Sequence, residues 1–251
     1  MNDFKNDFKN KVFIITGGGT GVGKATALKL GDKGAKLVIN YSNSETEAKK
    51  VVKEITEKGG IAFAFKANVA NEHEVNEMIH QTITQFGRLD GLVNNASITA
   101  QIPMHDLESA TDDVWDSLYD VNVKGMFHCV KAAVPHMKKQ KSGAIVNVGS
   151  VAGKTGIGSS IPYAATKAAI HTMTKSLAIA LAPHIRVNCI SPGAVDTRWW
   201  SGNEDKMYQL AGNLPLQRIS SPEDIADAIL FQVKQESVTG QVFTIDNGQT
   251  L

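Results

Sequence analysis

Residues 11–24 read Lys-Val-Phe-Ile-Ile-Thr-Gly-Gly-Gly-Thr-Gly-Val-Gly-Lys, an apolar run that breaks into glycines and then opens an amphipathic stretch. A short β-branched run, a glycine turn and a 3.6-residue apolar period spell strand, tight turn, helix. The same alternation continues outward along the chain. Strand patterns fall at 12–16, 36–41, 62–66, 89–94, 144–148, 185–190 and 241–246, with helical patterns between them at about 21–33, 43–58, 71–86, 111–140, 160–182 and 221–235. Nearly continuous apolar strands, each followed by a helix, predict an α/β doubly wound fold. It is a seven-stranded parallel sheet with helices on both faces and right-handed crossovers.

The 251 residues contain no Pro-, Gly- or Ser-rich linker, so one domain is expected over 11–251. The repeated Asn-Asp-Phe-Lys at 2–5 and 6–9 precedes the first strand, and residues 1–10 read as a polar extension. Residues 191–220 form a long connection that carries Trp199, Trp200, Met207 and Tyr208, the mark of a loop that covers a binding site.

Lys and Arg number 26 against 25 for Asp and Glu, and no basic block is present, which argues against nucleic acid or an anionic membrane as partner. No apolar run approaches the ~18 residues of a membrane span, and the N-terminus lacks a signal-peptide core. Cys129 and Cys189 lie in apolar stretches, as buried thiols do in a reducing compartment, so a cytoplasmic location is expected. No metal site is expected: His73 and His80 stand seven apart in a charged helical stretch, without ligand spacing.

Glycines at 17, 18, 19, 21 and 23 let the backbone turn tightly and approach a phosphate, while the following helix offers free N–H groups and a positive dipole end. A dinucleotide pyrophosphate fits this; a plain strand-to-helix turn is the bland alternative. G-x-G-x-x-G fails from Gly17, Gly19 and Gly21, whose third glycines would fall on Val22, Lys24 and Thr26. A phosphate loop of the ATPase kind has Gly18, Gly23 and Lys24 in register but Ala25 where a hydroxyl must reach Mg²⁺. T-G-x-x-x-G-x-G does fit, through Thr16, Gly17, Gly21 and Gly23. The second strand ends Asn40-Tyr41-Ser42 with no acid to accept ribose hydroxyls, so NADP(H) is favoured over NAD(H).

Tyr163 and Lys167 stand four apart at the start of a helical pattern and share one face. An ammonium held near a phenol is expected to lower the Tyr pKa toward the range of an acid–base catalyst. Ser150 follows the fifth strand at the carboxyl edge, where open α/β sheets bind ligands, or serves there as a turn hydroxyl. Asn122, inside 111–140, is a mildly unfavourable helix residue, and Asn94-Asn95-Ala96 closes the fourth strand.

Together these motifs resemble the short-chain dehydrogenase/reductase family from Lys11 to Leu251: the TGxxxGxG turn, Asn94-Asn95-Ala96, Asn122, Ser150, Tyr163 with Lys167, and Pro192-Gly193. One departure is Ser97, where the family has glycine. The resemblance implies a single-domain Rossmann-like fold and hydride transfer between a nicotinamide and a carbonyl carbon. Tyr163 would give or take the proton, Ser150 polarise the carbonyl, Lys167 assist Tyr163 and bind the nicotinamide ribose, and Asn122 keep a water in the relay. It implies further that Gly17, Gly19, Thr20, Gly21, Val22 and Gly23 surround the pyrophosphate. Asn40, Tyr41 and Ser42 would face the adenosine ribose, and Asn68 and Val69 the adenine. Asn95, Ala96 and Ser97 would run along the nucleotide, with Tyr163 and Lys167 at the nicotinamide ribose. Pro192, Gly193, Val195 and Thr197 would border the nicotinamide.

The substrate is a small carbonyl or alcohol, either a 3-oxoacyl group or a generic ketone, sugar or alcohol. Residues 97–101 lack the Arg that 3-oxoacyl reductases tend to carry there. Trp199 and Trp200 either wall the pocket or pack between subunits. The apolar residues Met126, Phe127, Val130, Ile170, Met173 and Leu177 on two long helices, with the resemblance, imply a homotetramer. A non-catalytic nucleotide-binding regulator is the rival from another class, and the presence of Asn122, Ser150, Tyr163 and Lys167 together argues against it.

Overall fold

Strands β1 (Val12–Ile15), β2 (Lys36–Tyr41), β3 (Ile61–Lys66), β4 (Gly91–Asn94), β5 (Gly143–Val148), β6 (Ile185–Pro192) and β7 (Val242–Ile245) form one sheet in the order β3-β2-β1-β4-β5-β6-β7. Every neighbouring pair is parallel. This is the expected doubly wound Rossmann-like sheet, seen in a computed structural model that describes residues 7–202 and 204–251. Its helices are α1 (Gly21–Asp32), α2 (Glu45–Glu57), α3 (Glu72–Phe86), α4 (Asp112–Tyr119), α5 (Met126–Gln140), α6 (Ala152–Thr155), α7 (Ile161–Leu181), α8 (Glu204–Asn213) and α9 (Pro222–Lys234).

Side chains alternate along each strand, so a strand covered on both faces must be apolar at every position. Phe13, Ile15, Leu37, Ile39 and Ile190 face one core, with Leu30 of α1, Val51 and Ile55 of α2 and Ile225 and Ile229 of α9. Val12, Ile14, Val38, Leu92 and Val187 face the other, with Val75 and Met78 of α3, Val130 and Met137 of α5 and Leu181 of α7. Each such side chain contributes about 1.5–3 kcal/mol on burial.

Four readings of the sequence are refined. The pattern at 111–140 divides into α4, a π-helical turn at Asp120–Gly125 and α5. Residues 191–220 are not an unstructured connection, for they hold a 3₁₀ turn at Arg198–Trp200 and α8. The supposed extension falls partly on residues 1–6, outside those described. Within 7–10, Phe8 is buried, packs edge-on against Phe13 at 5.4 Å and donates its N–H to Lys33 O. Of the six apolar residues taken as interface candidates, Met126, Val130 and Ile170 are buried and Met173 and Leu177 pack on the cores, which leaves Phe127 exposed.

Both cysteines are free and buried. Among the described residues no helix is long and apolar enough to cross a membrane, and no cluster of three or more His, Cys, Asp or Glu is arranged to hold a metal ion.

Candidate active site

A cleft of about 1010 Å³ opens above the carboxyl ends of β1, β4, β5 and β6. The strand order reverses between β1 and β4, and ligands of open α/β sheets bind at such a switch point. Gly17, Thr20, Gly21 and Val22 form one end of it, Asn95, Ala96 and Ser97 a side, and Ser150, Tyr163 and Lys167 lie farther in with Pro192, Gly193, Val195 and Thr197. Gly17 and Thr197, 180 positions apart in sequence, thus share one cavity.

The glycine turn uses a left-handed backbone, which favours glycine, at two positions and close packing at others. Gly17 and Gly21 have φ of +61° and +50°. A Cβ on Gly23 would strike Gly17 O and Asn95 Nδ2, so this glycine serves close packing of α1 on the turn. Gly19 packs in the same way against Ala48 of α2. Thr20 is the N-cap of α1 without a side-chain capping bond, which leaves the first N–H groups of that helix pointing into the cleft mouth unclaimed by it.

Thr16 and Asn95 lock this turn to β4. Thr16 Oγ1 accepts from Asn95 N at 2.9 Å and Ala96 N at 3.0 Å, while Asn95 Nδ2 donates to Thr16 O at 2.9 Å and Gly17 O at 3.1 Å. Such reciprocal bonding fixes the floor of the cleft at this end.

Ser160 starts α7. Its Oγ accepts from Tyr163 N at 3.2 Å, and Pro162 sits in the first turn, where its missing N–H costs nothing. The start at Ile161 puts Tyr163 in the first turn and Lys167 one turn later, beside β5, where Lys167 Nζ donates to Val148 O at 3.1 Å. Lys167 Nζ stands 5.5 Å from the centre of the Tyr163 ring. Lys167 is 2% exposed and Tyr163 9%.

Burial pushes the Tyr163 phenol up to about 12, a hydrogen bond with Ser150 pulling the other way. The expected lowering by Lys167 is therefore not met in the protein alone. Burial also pulls Lys167 down to about 8, and its ammonium spends its hydrogen bond on Val148 O, not on the phenol.

Asn122 lies on the π turn, 1% exposed. Its Oδ1 accepts from Ser97 Oγ and Ile98 N, and its Nδ2 donates to Ile98 O at 3.0 Å and Thr166 Oγ1 at 3.2 Å. The side chain has no capacity left for a water, because the widened turn aims it at the segment after β4.

Asn40 is not at the cleft mouth. It is 1% exposed, accepting from Gly17 N at 3.3 Å and donating to Ala67 O at 2.9 Å, and so braces the glycine turn from behind. Tyr41 is buried in the core. Ser42 is exposed and Ser44 lines the cleft. Asn68 is exposed, its Oδ1 accepting from Ala70 N, and Val69 is buried with Gly125 against it.

The outer cleft uses residues the sequence did not single out: Gln101, Ile102, Pro103 and Met104 after β4, Ile157 before α7, and Leu210 of α8. Ile102 N donates to Ser159 O at 2.8 Å, and Thr99 Oγ1 bonds Ser159 Oγ, which ties two of these walls together. The one signal in the sequence was the long stretch after β4 without apolar periodicity. Trp199 packs against the Tyr163 ring at 5.6 Å and 53°, and Trp200 donates Nε1–H to Val195 O at 3.1 Å. Both indoles line the cleft.

The family model for short chain dehydrogenases matches residues 11–207. The chain is 38% identical over 242 residues to the 3-oxoacyl-[acyl-carrier-protein] reductase FabG of Staphylococcus aureus, covering 95% of this chain and 97% of the relative. It is 61% identical over 129 residues to the short-chain dehydrogenase/reductase homolog YusR of Bacillus subtilis, which spans 51% of this chain and all of the relative. A crystal structure from Burkholderia xenovorans, of a protein assigned to the short-chain dehydrogenases/reductases, superposes with a TM-score of 0.89 at 34% identity over 95% of this chain and 97% of that one. A match that runs through sheet, glycine turn and cleft alike makes this protein a member of the short-chain dehydrogenases, the NAD(P)-dependent oxidoreductases.

Proposed function

We propose that the protein interconverts a carbonyl compound and its alcohol, with NADP(H) favoured over NAD(H) and Tyr163 as the acid–base group. The carrying observation is that Ser150, Tyr163 and Lys167 line the same cleft as the glycine turn. The residues present fit a dinucleotide: a glycine cradle that side chains would fill, an uncapped helix N-terminus, and a cleft that runs on to the phenol.

Gly17, Thr20, Gly21 and Val22 would hold the pyrophosphate, with Gly19 and Gly23 keeping the turn close to α1 and α2. Asn68 and Val69 would flank the adenine and Asn95, Ala96 and Ser97 the middle of the nucleotide. Pro192, Gly193, Val195 and Thr197 would border the nicotinamide. When bound, the cofactor supplies or takes up the hydride. Ser150 holds the carbonyl oxygen, and Tyr163 donates its proton to that oxygen in reduction. Lys167, buried beside the phenol, stabilises the phenolate left behind and would hold the nicotinamide ribose. The Asn122 side chain positions the segment after β4.

Preference for NADP(H) is supported by the end of β2, where Ser42 and Ser44 are neutral and the nearest acid, Glu45, is paired with Lys49 at 2.6 Å. Lys66, exposed and in register with Tyr41, offers a cation at the neighbouring strand end. A homotetramer accords with the exposed Phe127, Ile179 and Phe231 on α5, α7 and α9.

The test is a carbonyl panel that includes an acetoacetyl thioester, run with NADPH and NADH and read by dihydronicotinamide absorbance. Turnover with at least tenfold better catalytic efficiency for NADPH is expected. Equal or better efficiency with NADH overturns the cofactor preference, and absence of turnover across the panel overturns the carbonyl reading.

A further inference from the structure

We propose that Trp199 is a stacking wall that selects carbonyl compounds bearing a flat, aromatic or conjugated group beside the reacting carbon. This rests on the carbonyl reading above and narrows its substrate class. The indole packs on the ring of Tyr163, the group that hands over the proton, so whatever lies along the indole lies next to the reacting oxygen.

Its position is built, not incidental. Thr197 caps the 3₁₀ turn by accepting from Trp199 N at 3.3 Å, and the following indole is anchored on Val195 O. The base of the same loop is joined to the segment before α9 by a parallel bridge between Val195 and Ser220, with Asp196 N donating to Ser220 O at 2.9 Å. Trp199 is nevertheless 39% exposed, so part of its π surface remains unpaired with protein.

The rest of the outer cleft accords with a flat apolar guest. Met104 supplies a thioether, and Ile102, Ile157 and Leu210 supply aliphatic surface. Among the described lining residues there is no Asp or Glu to call for a cationic substrate, and the charged ones are the cations Lys167 and Arg198. Aromatic faces and sulfur both favour a π system over an aliphatic group of equal bulk. In the reaction, hydride adds to the carbonyl carbon from the reduced nicotinamide and the Tyr163 proton adds to oxygen. The products are a benzylic or allylic alcohol and the oxidised cofactor.

The experiment compares two ketones that differ in the flatness of one ring, acetophenone and cyclohexyl methyl ketone, in the wild-type protein and in Trp199→Leu and Trp199→Phe. The readout is the ratio of their kcat/KM values, which cancels intrinsic reactivity when proteins are compared. Trp199→Leu is expected to lower the aryl-to-cyclohexyl ratio about fivefold, and Trp199→Phe to keep most of it. Calorimetric binding of the unreactive pair benzamide and cyclohexanecarboxamide gives a second readout, in which benzamide is expected to lose affinity selectively in Trp199→Leu. A ratio unchanged in Trp199→Leu, with both ketones reduced, overturns the wall and leaves the carbonyl reading standing. No reduction of either ketone by the wild type, with no binding of either amide, overturns the wall; failure of the whole carbonyl panel as well overturns the reading beneath it.

Discussion

Ser97 Oγ donates a 3.0 Å hydrogen bond to Asn122 Oδ1, and the same oxygen accepts from Ile98 N at 2.9 Å. The residue that departs from the family's glycine thus lines the cleft while its hydroxyl joins the network around the π turn. Ser97→Gly is expected to cost about 0.5–1.5 kcal/mol, the worth of one hydrogen bond. Asn122→Ala strips a partner from both polar groups of the part-exposed Ile98 and from the buried Thr166 Oγ1, and is expected to cost about 1–3 kcal/mol, with a fall in kcat. Urea denaturation and steady-state kinetics on the two variants check the order: a serine variant as damaging as the asparagine one contradicts it.

Tyr163→Phe removes the hydroxyl and leaves the ring, its Trp199 contact and its place in α7. Turnover is expected to fall at least about a hundredfold, in line with the loss of a positioned general acid, while NADPH affinity stays within a few-fold. Fluorescence titration of NADPH beside initial rates separates the two quantities. A variant that retains a tenth of wild-type kcat removes the phenol from its role.

How much of this was readable beforehand follows from the range of the interactions involved. Apolar runs at Val12–Ile15 and Lys36–Tyr41 announce buried strands because their cause, burial on both faces, acts residue by residue. Tyr163 and Lys167 are legible because one helix turn sets their relation. Asn40 is not. Its partners Gly17 and Ala67 lie just past the ends of β1 and β3, and only the parallel register brings them to it. Phe8 looked like part of a polar tail until Phe13 and Lys33 surrounded it. The direction of the Tyr163 shift was misread because a four-residue spacing states proximity to Lys167 but says nothing of the burial that outweighs it.

Burial of Lys167 gives stability a pH dependence of known sign. In the folded protein it titrates near 8 against an ordinary 10.5, so between those values the unfolded chain holds a proton that the native state has released. Stability from this group therefore rises with pH across that window, and the full penalty is present below it. Tyr163 acts oppositely: its shift from 10.0 to about 12 makes the folded form the better proton holder, and stability falls between those values. Lys167→Met removes only the first contribution. Urea unfolding of the nucleotide-free protein from pH 7 to 10 is expected to show the wild type gaining ~2 kcal/mol on Lys167→Met. Parallel curves would mean that the ammonium is hydrated in the folded state.

A second test of the cleft needs no catalysis. Gly23→Ala puts a methyl group onto Gly17 O and Asn95 Nδ2, atoms of the turn that cannot withdraw without dragging Thr16 along. Overpacking of this kind costs about 1–3 kcal/mol and is expected to remove measurable NADPH binding with the sheet intact by circular dichroism. Gly212→Ala, on α8 with open space around it, serves as the control with unchanged binding.

Asn40 separates bracing of the cofactor site from recognition of the cofactor. Its carboxamide is buried behind the glycine turn, where it accepts from Gly17 N and donates to Ala67 O, and it presents nothing to the adenosine ribose. Asn40→Ala leaves Gly17 N and Ala67 O without these partners, and the expected cost is about 1–3 kcal/mol of stability. Slackening the turn moves the pyrophosphate cradle for both dinucleotides alike. NADPH and NADH affinities are therefore expected to fall by the same factor, with their ratio preserved within about twofold. Ser42→Asp, placed on the exposed end of β2, is expected to do the reverse, moving the ratio toward NADH by repelling a 2′-phosphate while stability holds. Calorimetric titration of each variant with both cofactors reads the ratio directly. If Asn40→Ala shifts it as far as Ser42→Asp does, the buried amide is sensed by the ribose after all, and its bonds to Gly17 and Ala67 are not its whole role.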